Sequence, residues 1–225
     1  MSKATRTARK LNRRRLLLAC TALLGAYTTP GWAEGETSDP AAKQIRAFYD
    51  SLVAVMKQAR ELGIRGRYEK LGPPIRATFD LPAMARIAVG SDWNSIPSEQ
   101  QTALIDGFTR MTIATYASRF DGYSGERFEV DATSEARATG RLVHTKLVQS
   151  NGEAITLNYL MRDSGGSWKV VDVYLTGTIS ELATRRSEFA ALLKSGGPST
   201  LIESLRQKAD KLMRAPAPEA ESVRR

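Results

Sequence analysis

Cysteine and histidine are almost missing from this chain. Its 225 residues include one cysteine, Cys20, and one histidine, His144. A histidine-rich metal site is therefore excluded, and a Ser-His-Asp triad would depend on His144, which falls in the middle of a predicted strand. We expect His144 to be a partly exposed strand residue. The sequence also has no glycine-rich phosphate loop, no paired metal-ligand motif and no EF-hand spacing. No cofactor and no metal site are predicted.

Long apolar runs are missing as well. The longest, Leu16 to Tyr27, spans about twelve residues, whereas a membrane helix needs roughly 20. It follows a basic segment and precedes the small-residue pattern Gly31-Trp32-Ala33, which is typical of a signal peptide cleaved after Ala33. Residues 1–33 are predicted to be this peptide, which directs export from the cytoplasm. Whether export uses the general secretory or the twin-arginine route stays open.

Cys20 lies inside the predicted signal peptide. Removal of residues 1–33 would leave a chain without cysteine, which can form neither a disulfide nor a thiolate site. Leu17-Leu18-Ala19-Cys20 also resembles a lipoprotein processing site, and that alternative would place a lipid on Cys20. The soluble form is favoured, because processing there leaves a very short apolar region.

The positive charge is concentrated at the N-terminus. The formal net charge is +9, from 33 basic and 24 acidic residues. Seven of the basic residues and none of the acidic ones lie in residues 1–33, so 26 basic and 24 acidic residues remain after cleavage. A net charge of +2 gives no reason to expect a nucleic-acid partner.

Apolar spacing predicts helices in the first half of the mature chain and at its end. Asp39-Pro40 caps a helix that runs to Gly63, Gly72-Pro73-Pro74 breaks the next one, and Asp80-Leu81-Pro82 opens a third. Pro97 starts the longest helix, which ends near Phe120 to Gly122. Two more helices follow residue 179, separated by Gly196-Gly197 and Pro198. Residues 215–225 are predicted to be a disordered tail.

Alternating apolar and polar residues predict four strands between the helical regions. They begin at Phe128, Arg141, Ile155 and Trp168, and Asn151-Gly152 is a strong hairpin signal. Ile155, Leu157, Tyr159 and Met161 would share one apolar face of the third strand. The sequence therefore predicts an α+β fold, in which helices cover a curved four-stranded antiparallel sheet in a single domain over residues 34–214.

The order and spacing of scattered residues resemble a known family. They are Phe79-Asp80, Ala88-Val89-Gly90, Trp93, Pro97, Gln100 or Gln101, Phe108, Tyr123, Gly125, Phe128, Trp168, Asp172-Val173, Gly177, Ile179-Ser180, Arg185 or Arg186, Phe189, Gly197, Leu201-Ile202 and Leu205. Together they are similar to the MlaC-type periplasmic lipid carriers, also called toluene-tolerance proteins. Residues 120–128 and 172–183 resemble the hopanoid-associated branch called HpnM. Thr176 departs from the wider family, which often has an acid there, and Ile96 replaces the usual Ser or Thr cap.

The resemblance implies a fold related to nuclear transport factor 2, with a deep apolar cavity between sheet and helices. It implies a monomeric, non-enzymatic carrier that takes a hopanoid or a phospholipid between an inner-membrane ABC transporter and an outer-membrane acceptor. The residues expected to contact the lipid are apolar positions on the predicted helix and strand faces. They are Phe48, Leu52, Met84, Ala88, Leu104, Phe108, Met111, Tyr116, Leu157, Tyr159, Met161, Val173, Leu175, Ile179, Phe189 and Leu192.

Two other functions stay open. An exported enzyme on the same fold could act on an isoprenoid, using Asp172 with Tyr159 or Tyr174 as acid and base. An adaptor that docks to a transporter without binding lipid is the other alternative. Asp172 is predicted first of all to stabilise the fold through a hydrogen bond. Arg65 and Arg67 are predicted to be solvated surface charges, with an anionic head group as their alternative partner.

Overall fold

A computed structural model describes residues 39–214 of the chain. The predicted signal peptide and the predicted tail lie outside these residues. The α-helices are α1 Pro40–Lys57, α2 Ala59–Thr78, α3 Leu81–Val89, α4 Ser98–Arg119 and α5 Glu181–Arg214, and a 3-10 helix spans Gly90–Ser95. None of the helices between residues 39 and 214 combines the length and the apolar character that a membrane span requires.

The helix starts follow the capping residues seen in the sequence. Asp39 accepts hydrogen bonds from the backbone N–H groups of Ala41 and Ala42 at the start of α1, at 2.9 and 3.3 Å. Asp80 accepts one from Ala83 at the start of α3, at 3.0 Å. These bonds satisfy N–H groups that the first helical turn leaves without a partner. The predicted starts of both helices are confirmed.

Two glycines interrupt the helical path, and the predicted separation of the last two helices at Gly196-Gly197 is confirmed. Gly63 in α2 and Gly197 in α5 have φ of 56° and 69°, which breaks the helical path at one residue before it resumes. The break between α1 and α2 comes at Gln58, earlier than the expected Gly63. The prediction that Gly72-Pro73-Pro74 ends a helix is wrong, because α2 continues to Thr78. Leu71 and Ile75, which flank these prolines, are fully buried, and their packing outweighs the lost backbone hydrogen bonds.

The sheet formed by the described residues is antiparallel and has seven strands. They are β1 Arg127–Val130, β2 Glu135–Arg137, β3 Gly140–Val143, β4 Thr145–Val148, β5 Ala154–Ser164, β6 Ser167–Leu175 and β7 Ile179–Ser180. One edge of β5 pairs with β3 and β4, and its other edge pairs with β6. β1 extends the sheet from β4, β2 from β3, and β7 from β6.

The α+β fold is confirmed, and the expected number of four strands is corrected. The second predicted strand is divided at His144 into β3 and β4, both of which still pair with β5. The short strands β2 and β7 were missed, because three and two residues are too few to show alternation. His144 lies at the surface, with its Nε2 atom 3.0 Å from the Glu135 carboxylate, as expected for a partly exposed residue.

A buried carboxylate joins the first helix to the sheet. Asp39 is 8% exposed and accepts hydrogen bonds from the backbone N–H and the hydroxyl of Ser134, at 2.8 and 2.6 Å. Arg141 of β3 adds an ion pair at 3.1 Å. Burial alone would raise the pKa of Asp39, but the hydrogen bonds from Ser134, Ala42 and Ala41 lower it to about 2.

A buried arginine joins two helices. Arg67 is 4% exposed, and its guanidinium donates to the carbonyls of Ala117 and Ala59, at 2.8 and 2.9 Å. Ala59 precedes the kink at Gly63, and Ala117 lies in the last turn of α4, where carbonyls have no helical partner. Desolvation lowers the pKa of Arg67. The surface position predicted for Arg67 is therefore wrong, whereas Arg65 is exposed as expected.

Candidate functional site

A cavity of about 340 Å³ lies between the sheet and the helix α4. This volume falls at the lower end of the range for small-molecule sites, roughly 300–1,000 Å³. Residues of β4, β5 and β6 form one wall, and α4 forms the opposite wall. The first turns of α5, together with Phe79 and Met84, close the sides. Helix α4 itself packs on α2, α3 and α5.

The sheet wall follows from strand alternation. Ile155, Leu157 and Tyr159 of β5 line the cavity with Val173 and Leu175 of β6. Leu157 is opposite Leu175 in the register, and Tyr159 is opposite Val173. Side chains of directly opposite residues point to the same face of a sheet, so these pairs form a continuous apolar surface.

The helix wall is one face of α4. Phe108, Thr112, Thr115 and Arg119 recur at helical spacing along this face, with Met111 and Tyr116 beside them. The hydroxyls of Thr112 and Thr115 donate to the carbonyls of Phe108 and Met111, both at 2.8 Å. Because their only donors are used within the helix, these threonines present methyl groups to the cavity at little polar cost.

Exposure increases from one end of the cavity to the other. On the sheet wall it rises from 2% at Tyr159 to 38% at Ile155. On the helix wall Phe108 and Met111 are buried, whereas Arg119 is exposed. The cavity is therefore closed near Tyr159 and Phe108 and opens near Ile155 and Arg119. This open end is called the mouth below.

Buried tyrosines lie at the closed end. The Tyr49 hydroxyl donates to that of Tyr159 at 3.0 Å and is 2.7 Å from the Thr145 hydroxyl, which also bonds to the Leu157 carbonyl. Burial raises the pKa of Tyr49 to about 12 and that of Tyr159 well above its usual value, because the phenolates would lack solvation. Both hydroxyls are therefore protonated at neutral pH and serve the local hydrogen bonds.

Eight of the sixteen residues predicted to contact lipid line this cavity. They are Met84, Phe108, Met111, Tyr116, Leu157, Tyr159, Val173 and Leu175. Lipid contact at these positions stays a prediction, but the structure brings them together around one space.

The other eight predicted residues lie away from the cavity surface. Leu52, Ala88, Leu104 and Met161 are fully or almost fully buried in the core. Phe48 lies behind Phe79 and Tyr116, with ring centroids 5.2 and 5.6 Å apart, and Phe189 lies behind Phe108 at 6.4 Å. Leu192 is partly buried against the core, and Ile179 is 55% exposed on β7. Apolar periodicity places a side chain on an inner face, but it does not distinguish core from cavity wall.

Ten further residues complete the lining. They are Phe79, Thr112, Thr115, Arg119, Phe120, Leu147, Ile155, Glu181, Leu182 and Arg185. Ile155 belongs to the strand face already expected to point inwards. The threonines and the charged residues were missed because the prediction counted only apolar side chains. Continuing the spacing of Phe108 along α4 would have found Thr112, Thr115 and Arg119.

The acid-base pair considered for an enzyme is not assembled in the cavity. Asp172 and Tyr174 alternate with Val173 and Leu175, so they point to the other face of β6 and do not line the cavity. The Asp172 carboxylate accepts hydrogen bonds from the Ser180 hydroxyl at 2.6 Å and from the N–H of Leu182 at 3.2 Å. Asp172 therefore joins β6 to β7 and to the start of α5, which confirms its predicted role in the fold.

Together, the fold and the site define an α+β protein with a mostly apolar cavity between its sheet and its helices. A family model described as MlaC protein matches residues 46–207, and the chain belongs to the MlaC family. The chain is also similar to a phospholipid-binding protein from Ralstonia solanacearum, solved in complex with a phospholipid. The TM-score is 0.68 at 25% identity, over 76% of this chain and 98% of that one. No curated protein sequence matches the chain. The family and this structure point to a binding or transport protein.

Proposed function

We propose that this chain carries one lipid across the periplasm, with the apolar part of the lipid enclosed in the cavity. The observation that carries the proposal is the cavity between sheet and α4, lined mainly by apolar side chains, in a member of the MlaC family. The phospholipid bound by the similar Ralstonia protein supports it. Export by an N-terminal signal peptide is part of the proposal and places the carrier between the two membranes.

The free energy that binds a lipid to such a carrier comes mainly from moving the apolar part of the lipid out of water. Each methylene moved from water into the cavity is stabilised by about 0.8 kcal/mol. Ten enclosed methylenes would contribute roughly 8 kcal/mol, which corresponds to a factor of about one million in affinity. A lipid held in this way rarely leaves into water. Release is therefore expected at a docked partner: an inner-membrane transporter on one side and an outer-membrane acceptor on the other.

Two lipid classes are candidates for the ligand. A phospholipid is supported by the ligand of the similar solved structure. A hopanoid is supported by the resemblance of residues 120–128 and 172–183 to the HpnM branch. Five residues of these two segments line the cavity: Phe120, Val173, Leu175, Glu181 and Leu182. The segments that resemble the branch therefore contribute directly to the site.

The geometry favours the carrier over the enzyme. Asp172 is engaged in fold hydrogen bonds outside the cavity, and the raised pKa of Tyr159 opposes its use as a base at neutral pH. The cavity likewise favours a lipid-binding protein over an adaptor, because an adaptor needs no internal apolar space.

The test is to purify the protein from the periplasm of a hopanoid-producing host, extract it with organic solvent and identify the lipid by mass spectrometry. A carrier is expected to yield about one unmodified lipid per protein. The purified protein should also move that lipid between donor and acceptor vesicles. Absence of lipid from both experiments would leave the adaptor, and chemical conversion of added lipid would favour the enzyme.

A further inference from the structure

One tyrosine brings a polar group to the apolar interior of the cavity. Tyr116 lines the cavity on α4, one helical turn before Arg119, and is half-buried. The other hydroxyl-bearing lining residues of α4, Thr112 and Thr115, donate to carbonyls of their own helix. The hydroxyl of Tyr116 cannot reach such a carbonyl, because the ring places it too far from the helix backbone. Its hydrogen bonds must therefore lie elsewhere.

Three aromatic rings hold the ring of Tyr116 in place. Phe48 and Phe79 meet it edge to face, with ring centroids 5.6 and 5.7 Å away, and Phe120 stacks on it at 5.6 Å. Aromatic contacts on several sides restrict the rotation of a side chain, so the hydroxyl has a defined position. A fixed polar group in a cavity can contribute to specificity, because it does not have to be ordered when a ligand binds.

Behind the cavity, the Tyr116 hydroxyl continues a chain of buried hydroxyls. The Thr145 hydroxyl is 2.7 Å from that of Tyr49, and Tyr49 donates to Tyr159 at 3.0 Å. A tyrosine hydroxyl has one proton. Because Tyr159 accepts the proton of Tyr49, its own proton is available to Tyr116. Burial raises the pKa of Tyr116, and a hydrogen bond from Tyr159 opposes that rise.

The proton of Tyr116 is then the last one in the chain. Among residues 39–214, no carbonyl, carboxylate or hydroxyl accepts it. A donor in an apolar space without an acceptor is unfavourable, because it has lost its bond to water. A lipid that is pure hydrocarbon beside Tyr116 would leave this donor unpaired, whereas a lipid with an oxygen atom there would pair it.

We propose that Tyr116 donates a hydrogen bond to an oxygen atom on the enclosed part of the lipid, so that the carrier selects its ligand by a group inside the cavity. This inference rests on the proposed function and adds a ligand class, lipids with an acceptor oxygen below the head group. Two sources share this chemistry. One is the ester carbonyl of an acyl lipid, and the other is a hydroxyl group on a chain or ring.

The experiment uses one lipid pair for each source of oxygen. The first pair is diacyl and dialkyl phosphatidylglycerol with chains of equal length, of which only the diacyl lipid has ester carbonyls. The second pair is ricinoleate and oleate, which differ in one hydroxyl on the chain. Delipidated protein is offered an equimolar mixture of each pair, and native mass spectrometry gives the ratio of the two complexes.

Tyr116→Phe keeps the aromatic ring and removes only the hydroxyl. In at least one mixture, the variant should shift the ratio by about fivefold towards the lipid without the oxygen, as expected for the loss of one hydrogen bond. The ratio is compared between variant and wild type, because the two lipids of a pair also differ in their own solubility. A shift in the first mixture identifies the ester carbonyl as the acceptor, and a shift in the second identifies a hydroxyl.

Tyr49→Phe is the matched control. Tyr49 belongs to the same chain of hydroxyls, but it is buried and does not line the cavity. Both ratios should equal those of the wild type, because the proton of Tyr159 still reaches Tyr116. A shift as large as that of Tyr116→Phe would show that the ratios follow the integrity of the hydroxyl chain, and it would overturn a direct contact between Tyr116 and the lipid.

Failure of this inference differs from failure of the carrier function. If the lipids bind and Tyr116→Phe leaves both ratios unchanged, the oxygen site is refuted and the carrier stands. A water molecule in the cavity would then be the partner of the Tyr116 hydroxyl. If none of the four lipids binds to the wild type, the carrier function and the oxygen site are refuted together.

Discussion

Filling the cavity from its sheet wall should remove the lipid without unfolding the protein. Leu157 is the position for this test, because it lies in the middle of the β5 wall, opposite Leu175, and points towards α4. In Leu157→Trp the indole would extend into the space of about 340 Å³ that the lipid tail is proposed to occupy. The substitution therefore tests whether this space is a binding cavity or a packing irregularity.

The change in stability caused by Leu157→Trp depends on whether the space next to Leu157 is empty. An indole that enters the cavity buries roughly 100 Å² more apolar surface than leucine, which is worth about 2.5 kcal/mol at most. The same enlargement in a close-packed core costs about 1 to 3 kcal/mol. We expect the melting temperature of the delipidated variant to stay equal to that of the wild type or to rise, by up to roughly 10 °C.

Met161→Trp is the matched control. Met161 lies four residues further along β5 on the same inner face, but it is fully buried and does not line the cavity. Overpacking there should lower the melting temperature by roughly 2 to 12 °C while extractable lipid is retained. Met161→Phe is a smaller step if the tryptophan variant does not fold.

The readouts are the melting temperature by circular dichroism on delipidated protein and the lipid extracted per mole of protein. Delipidated protein is needed because a bound ligand itself stabilises the folded state. Leu157→Trp should lose most of its lipid. If it instead loses as much stability as Met161→Trp and keeps its lipid, the face of β5 is ordinary core and the carrier mechanism fails.

Three further predictions concern the buried polar groups. Asp39→Asn should lower the free energy of unfolding in urea by about 2 kcal/mol at pH 7, because the pKa of Asp39 in the folded state is about 2 instead of 3.8. The difference from the wild type should shrink as the pH falls from 4 towards 2 and the wild-type carboxylate becomes protonated. An equal difference at pH 7 and pH 2 would contradict this argument. Arg67→Leu should lower the free energy of unfolding by about 1 to 3 kcal/mol, because the carbonyls of Ala59 and Ala117 would lose their donor. Unchanged stability in urea would show that water replaces the guanidinium. Tyr159→Phe should cost about 1 kcal/mol with unchanged lipid content, whereas loss of the lipid in native mass spectrometry would assign its hydroxyl to the ligand.

The elements that follow local chemistry were predictable from the sequence. Asp39 and Asp80 mark helix starts because a carboxylate accepts from the first free N–H groups, and this requires no distant partner. The course of α2 through Pro73 and Pro74 was not predictable in this way. Its cause is the burial of Leu71 and Ile75 against the rest of the domain, which depends on tertiary packing.

The site was predictable from the sheet and much less so from the helices. Alternation predicts which residues of β5 and β6 point inwards, and Leu157, Tyr159, Val173 and Leu175 do line the cavity, although their contact with lipid stays a prediction. For helices, an inward face includes core and cavity wall alike: Leu104 and Phe108 lie one turn apart on α4 and both are buried, but only Phe108 of the two lines the cavity. Which of them faces open space depends on the packing of the whole fold.

The short side chains on the inner face of α4 explain why a cavity forms next to this helix. Between Phe108 and Arg119, the face towards the sheet carries Thr112 and Thr115 at positions where a close-packed helix would carry leucine or isoleucine. A threonine is shorter and leaves space, and its hydroxyl is satisfied by its own helix, so no water or polar partner must fill that space. Short side chains with internally paired hydroxyls therefore leave open space along this wall without directing unpaired donors into it. Such a wall suits the apolar body of a lipid and explains why a search for apolar stripes alone missed half of the helix face.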